Sequence, residues 1–194
     1  MNTEDLTAFD KELADAEKDL LERKKRLAEL RKDRPQEDIK DYTLKNFGGE
    51  EVTLSSLFGH SDELLVIHNM GRSCPFCTLW ADGFNGVVGH LSNRTPFVVV
   101  SPDDPKTQQE FYTSRGWTFP MLSASESEFV KDMGFMDAES NPSPGVSAFQ
   151  KTPDGRIRRV AKTWFGPGDD FCSVWHLFDL LPHGAKNWEP RYKY

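Results

Sequence analysis

Cys74 and Cys77, in the stretch "MGRSCPFC", are two of the chain's three cysteines. Thiols at this spacing can cycle as a redox disulfide, supply half of a four-ligand zinc site, or pack as small hydrophobes. Upstream, "ELLVIHNM" (63–70) is a continuous apolar run of strand length, the pattern of a strand covered on both faces. Downstream, "CPFCTLWADGFNGVVGHL" (74–91) reads as a helix with Pro75 in its first turn, where a missing N–H costs little. The pair therefore sits where a strand gives way to a helix. Unpaired backbone N–H groups and the helix dipole there stabilise a thiolate at Cys74. One turn on, Cys77 is within reach of the first sulfur. In this pattern Cys74 attacks a disulfide or another electrophile and Cys77 resolves the mixed disulfide.

Neighbouring residues extend the candidate site. At the end of the buried strand, His68 has the ordinary pKa of a general base and could take the Cys77 proton, or it could be a hydrogen-bonded core histidine. Arg72 offers positive charge to a Cys74 thiolate, or is an exposed loop arginine. Cys172 and His176 stand four apart on a last helical pattern, "DDFCSVWHLFDLL" (169–181), so both share a face. With Cys74 and Cys77 they complete three thiolates and one imidazole, which keeps a zinc site open as an alternative.

The elements that must hold this site alternate between strand and helix. "PFVVVS" (96–101) is a second apolar strand, and "DDPKTQQEFYTSRG" is a helix capped by Asp104, with Pro105 in its first turn and Gly116 as its stop. "SESEFVKDMG" predicts a helix with a Ser125–Glu128 capping box. Two extended runs flank Thr152–Gly155, a hairpin signal. Together they predict an α/β domain over residues 36–194, a central mixed sheet flanked by helices. Residues 3–34 predict one long helix ended by Pro35, so that 1–35 form a charged arm. Along it Leu6, Leu13, Leu20 and Leu27 recur every seventh residue, with Phe9, Ala16 and Leu30 between them and Arg23 interrupting the second stripe. The stripe serves packing on its own domain or pairing with a second copy as a homodimer.

Composition narrows the function classes. With 24 basic against 31 acidic side chains, a net charge of −7 argues against nucleic acid as a partner. No apolar run approaches the roughly 18 residues of a membrane helix, which predicts no membrane association. The acidic start, "MNTEDLTAFDKELAD", lacks the basic and apolar regions of a signal peptide, and a cytoplasmic location is expected. No Gly-rich phosphate loop such as GxGxxG occurs, so no nicotinamide, flavin or other organic cofactor is expected.

These residues resemble a thioredoxin-type domain. "LLVIHNMGRSCPFC" is similar to the strand–turn–helix that carries the thioredoxin catalytic pair, and "SPGVSAFQKTPDGRI" resembles the later strand–turn–strand, whose leading proline is cis and faces the active-site disulfide. The resemblance gives that role to Pro144; Arg72, Pro75, Phe76 and Gly145, beside the dithiol and that proline in sequence, are the candidate substrate-binding residues. "DYTLKNFGGEEVTLSSLFG" and "GWTFPMLS" look more like the peroxiredoxin branch. A narrower resemblance, through the charged N-terminal helix, "CPFCTLWADGFNG", "GWTFPMLS", "PGVSAF" and "LFDLLPHG", is to the thioredoxin-like family catalogued as domain of unknown function 899. It implies a dithiol–disulfide oxidoreductase acting on a disulfide-containing protein, a small thiol or a peroxide. Two positions depart from the branches. Where peroxiredoxins place a proline and a threonine or serine before their peroxidatic cysteine, this chain has Ile67 and Gly71. Where thioredoxins bury an aspartate, it has His68. Peroxide reduction at Cys74 is the second enzymatic reading, and a non-catalytic metal-binding or interaction module the third.

Overall fold

A computed structural model describes residues 3–194, and the chain divides into two compact units, Met1–Gln36 and Glu37–Tyr194. The first holds a single helix, α1 (Thr3–Lys32), which leaves its leucine stripe exposed. Ion pairs along it, such as Lys11–Asp15 and Lys25–Glu22, are exposed and contribute a few tenths of a kcal/mol each, ~0.3 to 0.5.

The second unit is built on one eight-stranded sheet in the order β1-β8-β7-β4-β5-β6-β2-β3. Its centre is parallel: β4 (Glu63–His68), β5 (Phe97–Ser101) and β6 (Met121–Ser123) are joined by α2 (Pro75–Arg94) and α3 (Pro105–Arg115). β7 (Gly145–Lys151) runs antiparallel beside β4 and turns at Thr152–Gly155 into β8 (Ile157–Trp164). At one edge lies β1 (Glu37–Ile39), at the other the hairpin of β2 (Thr43–Lys45) and β3 (Glu51–Thr53). β1 was not legible in the sequence. Its Glu37 pairs with Arg159 of β8, a buried guanidinium that also donates to the Met133 carbonyl at 2.6 Å.

Apolar side chains alternate between two cores. Leu64 and Val66 of β4 join Val98, Val100, Phe129, Phe135 and Phe149 on one face. Ile67 joins Phe97, Val99, Trp80, Phe84, Phe165 and Trp175 on the other, beneath α2 and α5 (Ser173–Asp179). This two-sided burial is why the central strands read as unbroken apolar runs.

Most helix boundaries follow the sequence signals. Asp104 caps α3 by accepting from the Thr107 N–H at 3.0 Å, and Gly116 ends it in the left-handed conformation. The helix expected over 125–134 is a single turn, α4 (Phe129–Asp132), and no capping box forms. Ser125 is instead engaged with the Ser123 hydroxyl at 3.0 Å, which itself donates to the Asp103 carbonyl. With its side chain turned to the β6 end, Ser125 stands outside α4, whose N-cap position is Glu128.

Candidate active site

The β4–α2 connection places the two cysteines. Cys74 is the N-cap of α2, in extended conformation, and its sulfur accepts a hydrogen bond from the Cys77 N–H at 3.2 Å. Pro75 follows in the first turn, and the Thr78 hydroxyl donates to the Cys74 carbonyl at 3.1 Å. Cys74 is half-buried while Cys77 is buried. The cap geometry separates their acidities. A hydrogen bond from the Cys77 thiol, and backbone N–H groups of Cys77 and Phe76 after it, lower Cys74 to about 6 against the opposing effect of burial. The same thiol contact, burial and the Cys74 charge push Cys77 up. Cys74 is thus the thiolate and Cys77 the protonated partner. The groups that lower Cys74 do not include the Arg72 guanidinium, whose charge, like the Arg72 N–H, acts on Asp103.

The loop before Cys74 is held by its main chain. Asn69, buried one residue past β4, accepts from the Gly71 N–H at 2.8 Å, and the Met70 N–H points at the Cys77 sulfur at 3.4 Å. The Arg72 N–H donates to Asp103 at 2.8 Å. Gly71 has φ +95°, and a Cβ there would stand 2.8 Å from the Asp103 carboxylate, so glycine is required for the loop to close. From the far end of the chain, the Tyr192 hydroxyl donates to the Arg72 carbonyl at 2.9 Å. Asn69, Asp103 and Tyr192 are residues that sequence reasoning missed. Their contacts to the loop depend on the folded geometry, and Tyr192 is joined to Arg72 across 120 positions.

Cys77 lines a crevice with Asn69, Trp80, Pro144 and Phe165 that has no room for water. The structure places Pro144 on the same crevice as Cys77. It does not make it cis: every peptide bond among the described residues is trans. The Pro144 carbonyl accepts from the Phe165 N–H at 3.0 Å, and the Ser143 N–H donates to the Phe135 carbonyl at 2.8 Å, which fixes the segment on both sides.

His68 also borders this crevice, but its ring lies in the opposite core. It stacks on Phe135 at 3.9 Å between centroids, and Nε2 is 2.9 Å from the Ser147 hydroxyl. Burial first, then the charges of Arg159 and Lys162, lower it to about 3. A ring on the far face, held neutral, is not a base for Cys77; this corrects the general-base expectation. Gly145 is also placed differently from the sequence reading. It is buried, and a Cβ would meet the Phe135 ring at 2.3 Å and the Thr163 carbonyl at 2.4 Å, so packing accounts for it. Pro75 and Phe76 remain on the α2 first turn, with Phe76 stacked on Trp175 of α5 at 6.2 Å.

Cys172 is the buried N-cap of α5, raised by burial, and its N–H donates to Asp169 at 3.1 Å. Asp169 also accepts from the Trp80 indole N–H at 3.3 Å, tying the 165–170 loop to α2. The His176 ring is occupied by the Asp169 carbonyl at 3.0 Å. Among the described residues, no three His, Cys, Asp or Glu side chains are grouped to hold a metal. No described helix is long and apolar enough to cross a membrane.

These acidities make a testable pH profile. The rate of Cys74 alkylation by iodoacetamide should rise about tenfold per pH unit below its pKa and level off above about 6, where the thiolate is fully formed. An ordinary thiol would keep accelerating to about 8.5. No second inflection from His68 is expected between pH 5 and 8, because it stays neutral throughout that range.

The family model described as "Bacterial protein of unknown function (DUF899)" matches residues 2–194. The chain belongs to that family. Beyond the DUF899 family, it is 31% identical over 94 residues to the Mycobacterium tuberculosis (strain ATCC 25618 / H37Rv) protein named "Putative peroxiredoxin Rv2521". That stretch is 48% of this chain and 59% of the relative, so less than two thirds of the relative's length is spanned. Among solved structures, reduced Prx3 from Vibrio vulnificus in complex with hydrogen peroxide is similar with TM-score 0.53 and 14% identity, covering 69% of this chain and 88% of that one. Peroxidoxin BcpB from Mycobacterium tuberculosis gives 0.52 and 19%, covering 66% and 83%. At such identities the likeness establishes the fold, and this DUF899 chain has the thioredoxin-like, peroxiredoxin-like architecture expected from its motifs.

Proposed function

We propose that the DUF899 chain is a thiol–disulfide oxidoreductase working through Cys74 and Cys77. The observation that carries this reading is the asymmetric dithiol: a half-buried, low-pKa sulfur at a helix N-cap, hydrogen-bonded to a buried, protonated one a turn away. The Cys74 thiolate attacks one sulfur of a substrate disulfide, forming a mixed disulfide and releasing the other sulfur as a thiolate. Cys77 then passes its proton to the released substrate thiolate and attacks the Cys74 sulfur. The Cys74–Cys77 disulfide forms, and the second substrate thiolate leaves. Two electrons pass to the substrate, and an external thiol reductant restores the pair. Burial of Cys77 beside Pro144 keeps it from competing as first nucleophile. The chemistry suits a reducing cytoplasm with a disulfide-containing protein or small disulfide as substrate.

Peroxide reduction at the same dithiol is the second reading, supported by the names of the relatives. There Cys74 would be oxidised to a sulfenic acid, which Cys77 would condense into the same disulfide with loss of water.

The test is a titration in glutathione redox buffers, with mass spectrometry of the alkylated protein. A reversible two-electron transition confined to Cys74 and Cys77 is expected. Failure of the pair to form a disulfide under oxidising buffer would overturn both readings. Stopped-flow mixing with hydrogen peroxide separates them: a rapid loss of Cys74 thiol would favour the peroxidase.

A further inference from the structure

The reaction at Cys74 uses nothing of α1, whose large apolar side chains, the exposed Leu21 apart, lie in one stripe and whose charge lies in two blocks. Counting heptads from Leu6 puts Leu6, Leu13, Leu20 and Leu27 at position a, and Phe9, Ala16, Arg23 and Leu30 at d. The six large apolar members of this stripe are between 44% and 59% exposed. Residues 3–17 contain six acidic and one basic side chain, whereas residues 18–32 contain seven basic and three acidic. A seam of this kind is not stable in water by itself, since the stability of a helix in a protein comes mostly from packing its apolar face.

Charge decides what covers it. In a parallel pair of arms, facing g and e positions would bring Asp5 to Asp10, Glu12 to Glu17 and Arg26 to Arg31, and only Asp19 to Lys24 would attract. Reversed, the stripe complements itself about the level of Lys18. Leu6 then faces Leu30 of the second copy, Phe9 faces Leu27, Ala16 faces Leu20 and Leu13 faces Arg23, each layer joining an a to a d position. In the same register Asp10 lies beside Lys24 and Arg31 of the other arm, Glu17 beside Lys24, and Glu12 beside Arg26. Like charges meet only near the centre, around Glu17 and Asp19. Within each helix the sign order also complements the dipole.

We infer that α1 binds a second copy of this chain as an antiparallel two-helix coiled coil centred near Lys18, the acidic half of each arm lying along the basic half of the other. Arg23 is its register device. It occurs twice in the seam, at d positions facing Leu13, and it weakens pairing while allowing the charged end to reach solvent past the aliphatic stem. The dimer makes no use of the dithiol and stands or falls independently of the proposed reaction.

The experiment uses the full chain. Sedimentation should show a dimer at micromolar concentration, and Arg23→Leu should tighten its Kd by at least ~100-fold, because two seam layers exchange a charged side chain for a buried leucine. Leu20→Glu with Leu27→Glu, which put carboxylates against Ala16 and Phe9 of the second copy, should give a monomer whose Cys74 alkylation profile is unchanged. For direction, L6C and L30C are made separately in a chain carrying Cys74→Ser, Cys77→Ser and Cys172→Ala, then mixed under oxidation. Disulfides joining L6C to L30C are expected. Self-linked L6C dimers would overturn the antiparallel register. A wild-type chain that stays monomeric up to about 100 μM, with Arg23→Leu also monomeric, would overturn the dimer altogether.

Discussion

Cys74→Ser is expected to reduce insulin-disulfide reduction to the uncatalysed background, a loss of at least ~1,000-fold, because a serine hydroxyl does not ionise near neutral pH and cannot serve as the attacking group. The substitution suits the fold. Serine is among the favoured N-cap residues, so α2 keeps a side-chain acceptor for its first N–H groups where Cys74 now accepts from Cys77. Loss of activity would therefore report chemistry rather than unfolding, which unchanged far-UV circular dichroism would check. Cys77→Ser should behave differently: attack by Cys74 persists, resolution does not, and a covalent Cys74–substrate adduct accumulates that is visible by intact mass. If Cys74→Ser instead retained exchange activity, the reacting sulfur would have to be elsewhere, and Cys77 and Cys172 are the thiols left. Both are buried with their pKa pushed up, which makes them poor first nucleophiles.

How far the site was legible follows from how local each contact is. The Cys74–Cys77 junction is written within a dozen consecutive residues: an apolar strand, a proline in the first helical turn and a turn's spacing between the thiols. Nothing distant is needed to place it. His68 fails for the opposite reason. In a strand covered on both faces the run "LLVIH" has no polar alternation to say which residues share a side, and a shift of one residue reverses the answer. Val66 and Leu64 pack in the core opposite α2, and His68, two further along, follows them. Pro144 lines the crevice that Cys77 borders, but its peptide bond is trans where the motif implied cis. The anchors of the loop, Asp103 and Tyr192, come from other elements and left no local trace. Ser125 shows a related limit: its capping pattern was present, yet a nearer hydroxyl at Ser123 took the side chain.

Gly145 gives the sharpest separation between a packing residue and a substrate-binding one. Gly145→Ala is expected to destabilise the second unit by about 3 kcal/mol, toward the upper end for overpacking, and to lower its unfolding midpoint by roughly 10 °C. The glycine is not in the left-handed region, so backbone strain is not the cause. The new methyl would overlap the Phe135 ring at 2.3 Å and the Thr163 carbonyl at 2.4 Å, neither of them the end of a flexible chain. Thr163 belongs to β8, whose ladder with β7 fixes it, and Phe135 is buried with His68 stacked on it. Relief must come by moving the strand pair apart or by displacing both rings. Thermal unfolding followed by circular dichroism measures the first effect. In the protein that remains folded at low temperature, Cys74 alkylation should keep its inflection near pH 6, since none of the groups that lower Cys74 touches Gly145. A variant as stable as the parent with weakened substrate binding would mean that the Phe135 contact is soft, and that Gly145 serves the substrate after all.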